Sequence, residues 1–335
     1  MTPPKSYVCP RANRPPVLDG RLTDPVWDAA PWTDDFVDIE GDLRPKPPLR
    51  TRVKMLWDDH FLYIGADLEE PHVWATLTEH DSVIFQDNDF EVFIDPDGDN
   101  HNYYELEINA LNTTWDLRLV TPYRDGGPAL NNWEIPGMRT AVHVDGTLND
   151  PRDRDRGWSV ELALPWKALG EYARRPAPPR SGDQWRINFS RVEWDVITEG
   201  AQTRKVPDRP EHNWVWSPQG VIDMHRPERW GYLQFTDGSP ATARFRLDGS
   251  QAARDFLMAV YHAQRAFQAR TGNWAETLAA LPVPVPAAGL ASPRLRSTTT
   301  GFVAEALYTD PKGRSVRLQI DERSRLWVPE PPRGS

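Results

Sequence analysis

The stretch Phe85–Asp99, followed by Tyr103–Asn109, constrains the fold more than any other part of this 335-residue chain. Apolar and polar residues alternate along both runs, a period of two that a β-strand satisfies and a helix does not. One face then carries Phe90, Val92 and Ile94 beside Tyr104, Leu106 and Ile108, and the opposite face carries Glu91, Glu105, Glu107 and Asn109. Carboxylates accept hydrogen bonds, an amide both donates and accepts, and the chain has 15 tryptophans. Gathered on one sheet face, such groups suit the gripping of sugar hydroxyls.

Turn signals at Asp19-Gly20, Asp97-Gly98, Gly126-Gly127 and Asp145-Gly146 punctuate further short alternating runs. That punctuation predicts a mainly β chain, an antiparallel, jelly-roll-like β-sandwich. The proline clusters Pro45–Pro48 and Pro176–Pro179 read as surface connections. After Phe235 the pattern changes: apolar residues from Phe256 to Phe267 recur at helical spacing, with Ser250 placed to cap and Gly272 to stop. The expected organisation is a sandwich over residues 1–238 and a small α+β appendage over 239–335. The appendage would hold a helix at about 250–270, a second short helix within Trp274–Leu281 and a β-hairpin at about 301–328.

The sandwich pattern resembles family 9 carbohydrate-binding modules and their larger family 9-like relatives. The resemblance is carried by Val17–Gly20 with Asp24–Trp27, Thr51–Trp57, Leu62–Ile64, Asn88–Asp95, Trp158–Trp166, Arg186–Arg191, Asn213–Pro218 and His225–Gly231, in one order over some 230 residues. It implies a non-catalytic protein that holds a terminal or short glycan of a polysaccharide or oligosaccharide between two aromatic rings. It also implies an extracellular or periplasmic setting and structural calcium. In such modules one ring stands six residues before the glutamate of the Glu-Val-Phe strand, here Phe85 before Glu91. The other stands three residues after a loop asparagine, here Trp216 after Asn213. Phenylalanine replaces a tryptophan at the first position, and Glu107 replaces an arginine two residues before Asn109.

Trp115 and Trp214 are further platform candidates, because Trp214 and Trp216 read as loop residues between Glu211 and Gly220. Trp27, Trp32, Trp57, Trp158 and Trp185 fall in apolar phase and read as core. On the strand 185–189, Arg186 and Asn188 alternate with Trp185, Ile187 and Phe189 and extend the polar face, and Glu161 is placed to join it if registers agree. As sugar ligands, Glu91 and Glu107 are expected to be ionised with ordinary pKa values, holding steady from about pH 6 to 8. The bland alternative is a solvated sheet face with Arg–Glu pairs.

The turn Asp95–Asn100 crowds hard oxygen donors, so Asp95, Asp97 and Asp99 are the candidate calcium ligands, although the spacing is not that of an EF-hand. The eight histidines form no His-x-His or His-Glu-x-x-His cluster, and no Gly-x-Ser-x-Gly or phosphate loop is present. The 39 basic against 49 acidic residues give −10, which disfavours nucleic acid and anionic membrane. No run approaches the ~18 apolar residues of a membrane span. Cys9 is the only cysteine and reads as a partly buried thiol, with no apolar segment before it resembling an export signal. Two other functions stay open: a glycoside-active enzyme with paired Glu91, Glu107 or Glu161, and, remotely, a haem-binding electron-transfer sandwich, against which stand the five methionines and the core-like strand that holds Met55.

Overall fold

The computed structural model describes residues 3–239 and 242–330; residues 1–2 and 331–335, at the outer ends of the two expected domains, lie outside them. Two compact units result: Met1–Asp97, Asn102–Val120 and Gly127–Phe245 form the first, and Gly98–His101, Thr121–Gly126 and Arg246–Ser335 the second.

The first unit runs through β1 (Ser6–Pro10), β2 (Val37–Asp38), β3 (Thr51–Trp57), β4 (Phe61–Glu69), β5 (Asp89–Asp95), β6 (Tyr103–Asn109), β7 (Thr114–Leu119), β8 (Ala129–Leu130), β9 (Arg139–Asp145), β10 (Gly157–Pro165), α1 (Trp166–Leu169), β11 (Gln184–Glu193), β12 (Val196–Glu199), β13 (Gln202–Lys205), β14 (His212–Val215) and β15 (Gly231–Thr236). One sheet has the order β1-β15-β11-β5-β6-β7-β8, with β14 on β11 and β2 on β14; the other has β3-β4-β10-β9. Every pairing in these sheets is antiparallel except that of β1 with β15.

Alternation decides which side chains meet between the sheets. Phe90, Val92 and Ile94 on β5, Tyr104, Leu106 and Ile108 on β6, and Trp185, Ile187 and Phe189 on β11 share one core with Val53, Met55 and Trp57 on β3, Leu62, Ile64 and Ala66 on β4, and Trp158, Val160 and Leu162 on β10. Arg191 joins the sheets within this layer. Its guanidinium donates to Glu70 and Glu193 at 2.8 Å each and to Thr51 Oγ1 on β3 at 3.1 Å, so a fully buried cation has its charge and its hydrogen bonds met together.

The outer face of the second sheet is covered by the segment before β2. There Trp27 packs with Leu56, Tyr63 and Ala163, and Asp24 accepts from Val26 N to start the 3₁₀ turn Pro25–Ala29. Glu161 lies on this outer face, accepting from Trp27 Nε1 at 2.7 Å and from the backbone of Asp19 and Gly20 at 2.8 and 2.6 Å. Gly20 has φ +81°, and a Cβ on it would stand 2.5 Å from the Val142 carbonyl carbon, so the Asp-Gly turn can dock only as glycine. Glu161 therefore belongs to a structural clasp on the other sheet and does not share a face with Glu91. Trp32 departs from expectation as well: it is half-buried, with Arg52 and Lys54 4.2 and 4.4 Å from its ring centre. Cys9 is completely rather than partly buried.

In the second unit α2 (Gln251–Thr271) follows Ser250 and ends on Gly272, whose φ of +75° is the left-handed stop. Phe256, Leu257, Val260 and Tyr261 pack on a sheet of order β16 (Ala291–Ser297), β17 (Phe302–Thr309), β18 (Ser315–Asp321) and β19 (Leu326–Trp327). The expected hairpin is thus the centre of a four-stranded sheet. The short helix expected within Trp274–Leu281 is only a 3₁₀ turn at Leu278–Ala280.

Candidate functional site

The face of β5 and β6 turned away from the core is the chemically unusual surface of the first unit. Cα pairing sets Asp89 opposite Asn109, Glu91 opposite Glu107 and Phe93 opposite Glu105. On the flanking strands Ser190 of β11 faces Glu91, and Trp115 of β7 faces Glu107. The period of two therefore gathers Asp89, Glu91, Glu105 and Glu107 with Ser190 and Trp115 on one side of the sheet. This face is not solvated, as a sheet surface of Arg–Glu pairs would be: Asp89 is 0% exposed, Glu107 2%, and Glu91 and Glu105 5% each.

Burial among like charges dominates its electrostatics. Desolvation, the leading cause for all four carboxyls, disfavours the charged form, and their mutual repulsion or that of nearby Asp87 and Glu211 adds to it. Glu91 is pushed up to about 7, although Ser190 pulls it down in part. Asp89, Glu105 and Glu107 are raised well above the usual carboxylate range. In place of the ordinary glutamates expected from sequence stands a buried acid group in which every carboxyl is shifted upward. Among the described residues, Asp89 Oδ2, Glu105 Oε2, Ser190 Oγ and Trp115 Nε1 are buried on this face without a hydrogen-bond partner. Buried polar atoms are rarely left so, because each costs about 1–3 kcal/mol.

Aromatic side chains border the acids. Phe85 N donates to Glu107 Oε2 at 2.8 Å, and Trp194 Nε1 donates to the Phe85 carbonyl at 2.9 Å. Phe85, Trp115 and Trp194 are each half-buried, and the Lys205 ammonium covers one face of Trp194 at 3.4 Å from its ring centre. Trp194, Ser190 and Asp89 were missed by sequence reasoning. Their signal lay in phase alone: Asp89 precedes Glu91 by two, and Ser190 and Trp194 continue the alternation of Arg186 and Asn188.

The other expected ligands divide clearly. Asn109 donates to Leu77 O and Asp87 Oδ2 at 2.8 and 3.0 Å and accepts from the backbone of Leu111 and Thr113 at 3.0 and 3.1 Å. It brackets two loops and has no spare donor. Asn188 exchanges hydrogen bonds with the Ser217 backbone, donating at 2.8 Å and accepting at 2.9 Å. Arg186 lies 5% exposed, donating to Trp230 O at 2.8 Å with its guanidinium 3.7 Å from the Tyr232 ring centre. Asn213 pairs with Val192 and is half-buried.

Trp214 and Trp216 are not loop platforms. Trp214 lies in β14 opposite Arg191, and the same phase turns Trp216 inward, where it is 1% exposed with its ring 6.0 Å from Phe189. A Cβ on Gly231 would stand 2.3 Å from the Trp216 ring, so that glycine makes room for the indole. Trp214 is 5% exposed beneath the Arg191 guanidinium. Of the candidate calcium ligands, Asp95 ends β5 buried and Asp97 is half-buried in the first unit. Asp99 belongs to the second, where it accepts from His101 N at 2.8 Å and lies 3.4 Å from Arg325 Nε.

Residues 18–215 match the family described as carbohydrate family 9 binding domain-like. Among curated proteins the chain is similar to exoglucanase XynX of Acetivibrio thermocellus, 24% identical over 154 residues that cover 46% of this chain and 12% of that protein. It is similar also to endo-1,4-beta-xylanase A of Thermoanaerobacterium saccharolyticum, 25% identical over 154 residues, 46% of this chain and 11% of that one. The chain thus matches only a small fraction of either relative. Among solved structures, a Bacteroides uniformis protein given a provisional carbohydrate-binding description superposes with a TM-score of 0.52 at 17% identity, covering 69% of this chain and 99% of that one. A family 9 carbohydrate-binding module from Caldicellulosiruptor kristjanssonii in complex with cellotriose has a TM-score of 0.47 at 15% identity, covering 72% of this chain and 100% of that one.

Proposed function

Since the chain belongs to the carbohydrate family 9 binding domain-like family, we propose that it is a non-catalytic carbohydrate-binding protein whose polar β5–β6 face takes a terminal or short stretch of an oligosaccharide or polysaccharide. One observation carries the reading: four buried polar atoms without partners, on Asp89, Glu105, Ser190 and Trp115, share one face with half-buried aromatic rings. Sugars offer the complement, because hydroxyls both donate and accept while ring C–H groups stack on aromatic faces. A protonated carboxyl can donate to a sugar oxygen and an ionised one accept from a hydroxyl, so a proton-sharing acid group suits such a ligand. The relatives named as glycan-degrading enzymes fit a setting outside the cell, where polysaccharide is met, and export belongs to the same proposal. No helix among the described residues is long and apolar enough to cross a membrane.

Phe85 remains a stacking candidate, and Trp194 joins it in place of Trp214 and Trp216. Phe85→Ala and Trp194→Ala are each expected to weaken binding of the best oligosaccharide about threefold to tenfold, the range of one aromatic contact. Titration calorimetry of wild type and variants measures this, with melting curves as a check on folding. Affinities equal to wild type in both variants would remove the aromatic border from the site.

A further inference from the structure

We propose that His80, Asp81, Asp116 and Glu134 hold a divalent first-row metal ion of zinc's kind beside the start of β7, on the opposite side of that strand from the acidic face. The inference goes beyond the sugar reading and shares no atom with it. Alternation turns Trp115 to the acidic face and Asp116 away from it, opposite Leu106. His80 and Asp81 come from the loop between β4 and β5, and Glu134 from the loop between β8 and β9. One oxygen each of Asp81 and Asp116 and one ring nitrogen of His80 lie within 4.8 Å of one another. His80 Nε2 stands 3.1 Å from Glu134 Oε2, 3.4 Å from Asp81 Oδ1 and 3.9 Å from Asp116 Oδ1. Zinc binds imidazole nitrogen and carboxylate oxygen at about 2.0–2.2 Å, which sets the ligands of a tetrahedron about 3.3–3.6 Å apart, so the separations from His80 are already those of such a shell to within a few tenths of an ångström.

Two observations independent of the clustering point to an ion. Asp116 is 1% exposed; its Oδ2 accepts from Ile135 N, but its Oδ1, the atom aimed at His80, is buried with no hydrogen-bond partner. Buried carboxylate oxygens are rarely left so. The second observation is the support of the ring. His80 Nδ1 donates to the Thr114 carbonyl at 3.0 Å, and Asp81 N donates to the same oxygen at 3.0 Å. A carbonyl only accepts, so Nδ1 carries the proton and the lone pair of the neutral ring stands on Nε2, facing the three carboxylates. A backbone carbonyl on the far nitrogen is the usual support of a metal-bound histidine. Among the described residues no lysine or arginine forms an ion pair with Asp81, Asp116 or Glu134, which leaves three carboxylates against one imidazole. His80, Asp81 and Glu134 are exposed, which gives an ion a way in. An imidazole among carboxylates selects zinc or a neighbouring first-row ion over calcium, which takes oxygen alone, and over copper(I), which takes thiolate and thioether.

The test strips the whole protein with chelator and titrates it by calorimetry with zinc chloride alone and, separately, with calcium chloride alone. No sugar is present, so failure here and failure of the sugar reading are distinct results. The expected result is a saturable zinc isotherm with a dissociation constant below about 10 μM, weaker than the thiolate sites of zinc fingers, and at least about tenfold tighter than any calcium isotherm. His80→Ala and Asp116→Asn should each weaken zinc binding at least about tenfold, since losing even an outer supporting group costs about that much. His212→Ala should leave it unchanged: His212 also faces an aspartate, 3.2 Å from Asp195 Oδ1, but Asp195 has no orphaned buried oxygen. If Asp116→Asn does not fold by circular dichroism, His80→Ala, a change at an exposed side chain, is read by the same criterion. A wild type without saturable zinc binding overturns the proposal. So does a zinc isotherm that survives His80→Ala, one that weakens as far with His212→Ala, or one no tighter than that of calcium.

Discussion

Trp216→Ala is expected to destabilise the protein by about 3–5 kcal/mol, the usual cost of truncating a buried tryptophan. At this size that corresponds to a fall in melting temperature of roughly 10 °C, since 1 kcal/mol is worth about 2–4 °C. The indole is 1% exposed, and Trp216 N donates to Phe189 O at 3.1 Å. No neighbouring side chain can fill the space without moving β11 or the Gly231 backbone, which approaches the ring because it lacks a side chain. Thermal and urea melts of the variant measure the loss. A variant that melts like wild type would place Trp216 outside the core.

The second large effect is on pH dependence. A glutamate titrates near 4.3 in the unfolded chain, whereas Glu91 in the fold is pushed up to about 7 and Asp89, Glu105 and Glu107 are raised well above their usual range. The folded state therefore holds more protons at neutrality than the unfolded one. The contribution of these groups is fully present below about pH 4 and is lost as pH rises through about 7 and beyond. For Glu91 alone the difference is on the order of 4 kcal/mol, taking 1.36 kcal/mol per pKa unit. In chelator-treated protein the melting temperature should fall from about pH 5 to about pH 7.5, the interval in which folded Glu91 still holds a proton that the unfolded chain has lost. Glu91→Gln and Glu107→Gln, which keep shape but carry no charge, should flatten that decline. A wild-type decline no steeper than that of the variants would contradict the buried acid group.

Both effects mark where sequence pattern stops being informative. Alternation along 89–95, 103–109 and 184–193 decides which residues share a face, because strand geometry leaves only two choices. It cannot say what covers a face. Glu91 and Glu107 read as an accessible polar surface, whereas tertiary packing buries them and raises their pKa. Trp214 and Trp216 read as loop residues from the turn formers around them. Their orientation follows from pairing with Arg191 and from β14 lying beside β11, a register set between distant positions of the chain and absent from any local pattern. Asn109 and Asn188 matched the expected positions for sugar ligands, yet Asn109 spends both donors on Leu77 and Asp87 and accepts from Leu111 and Thr113, and Asn188 is tied to the Ser217 backbone. In the second unit, the strand Ala291–Ser297 contains a proline and half-exposed residues, so only its pairing with β17 reveals it.

The most direct measurement of the central claim is a glycan array probed with the whole protein, followed by long incubation with whichever oligosaccharides are retained and analysis for new reducing ends. Binding to at least one class of oligosaccharide with every chain recovered at its original length is the expected result. Failure to retain any glycan would contradict the account. So would shortened products whose appearance Glu91→Gln or Glu107→Gln stops while binding persists, which would make the acidic face an active site instead.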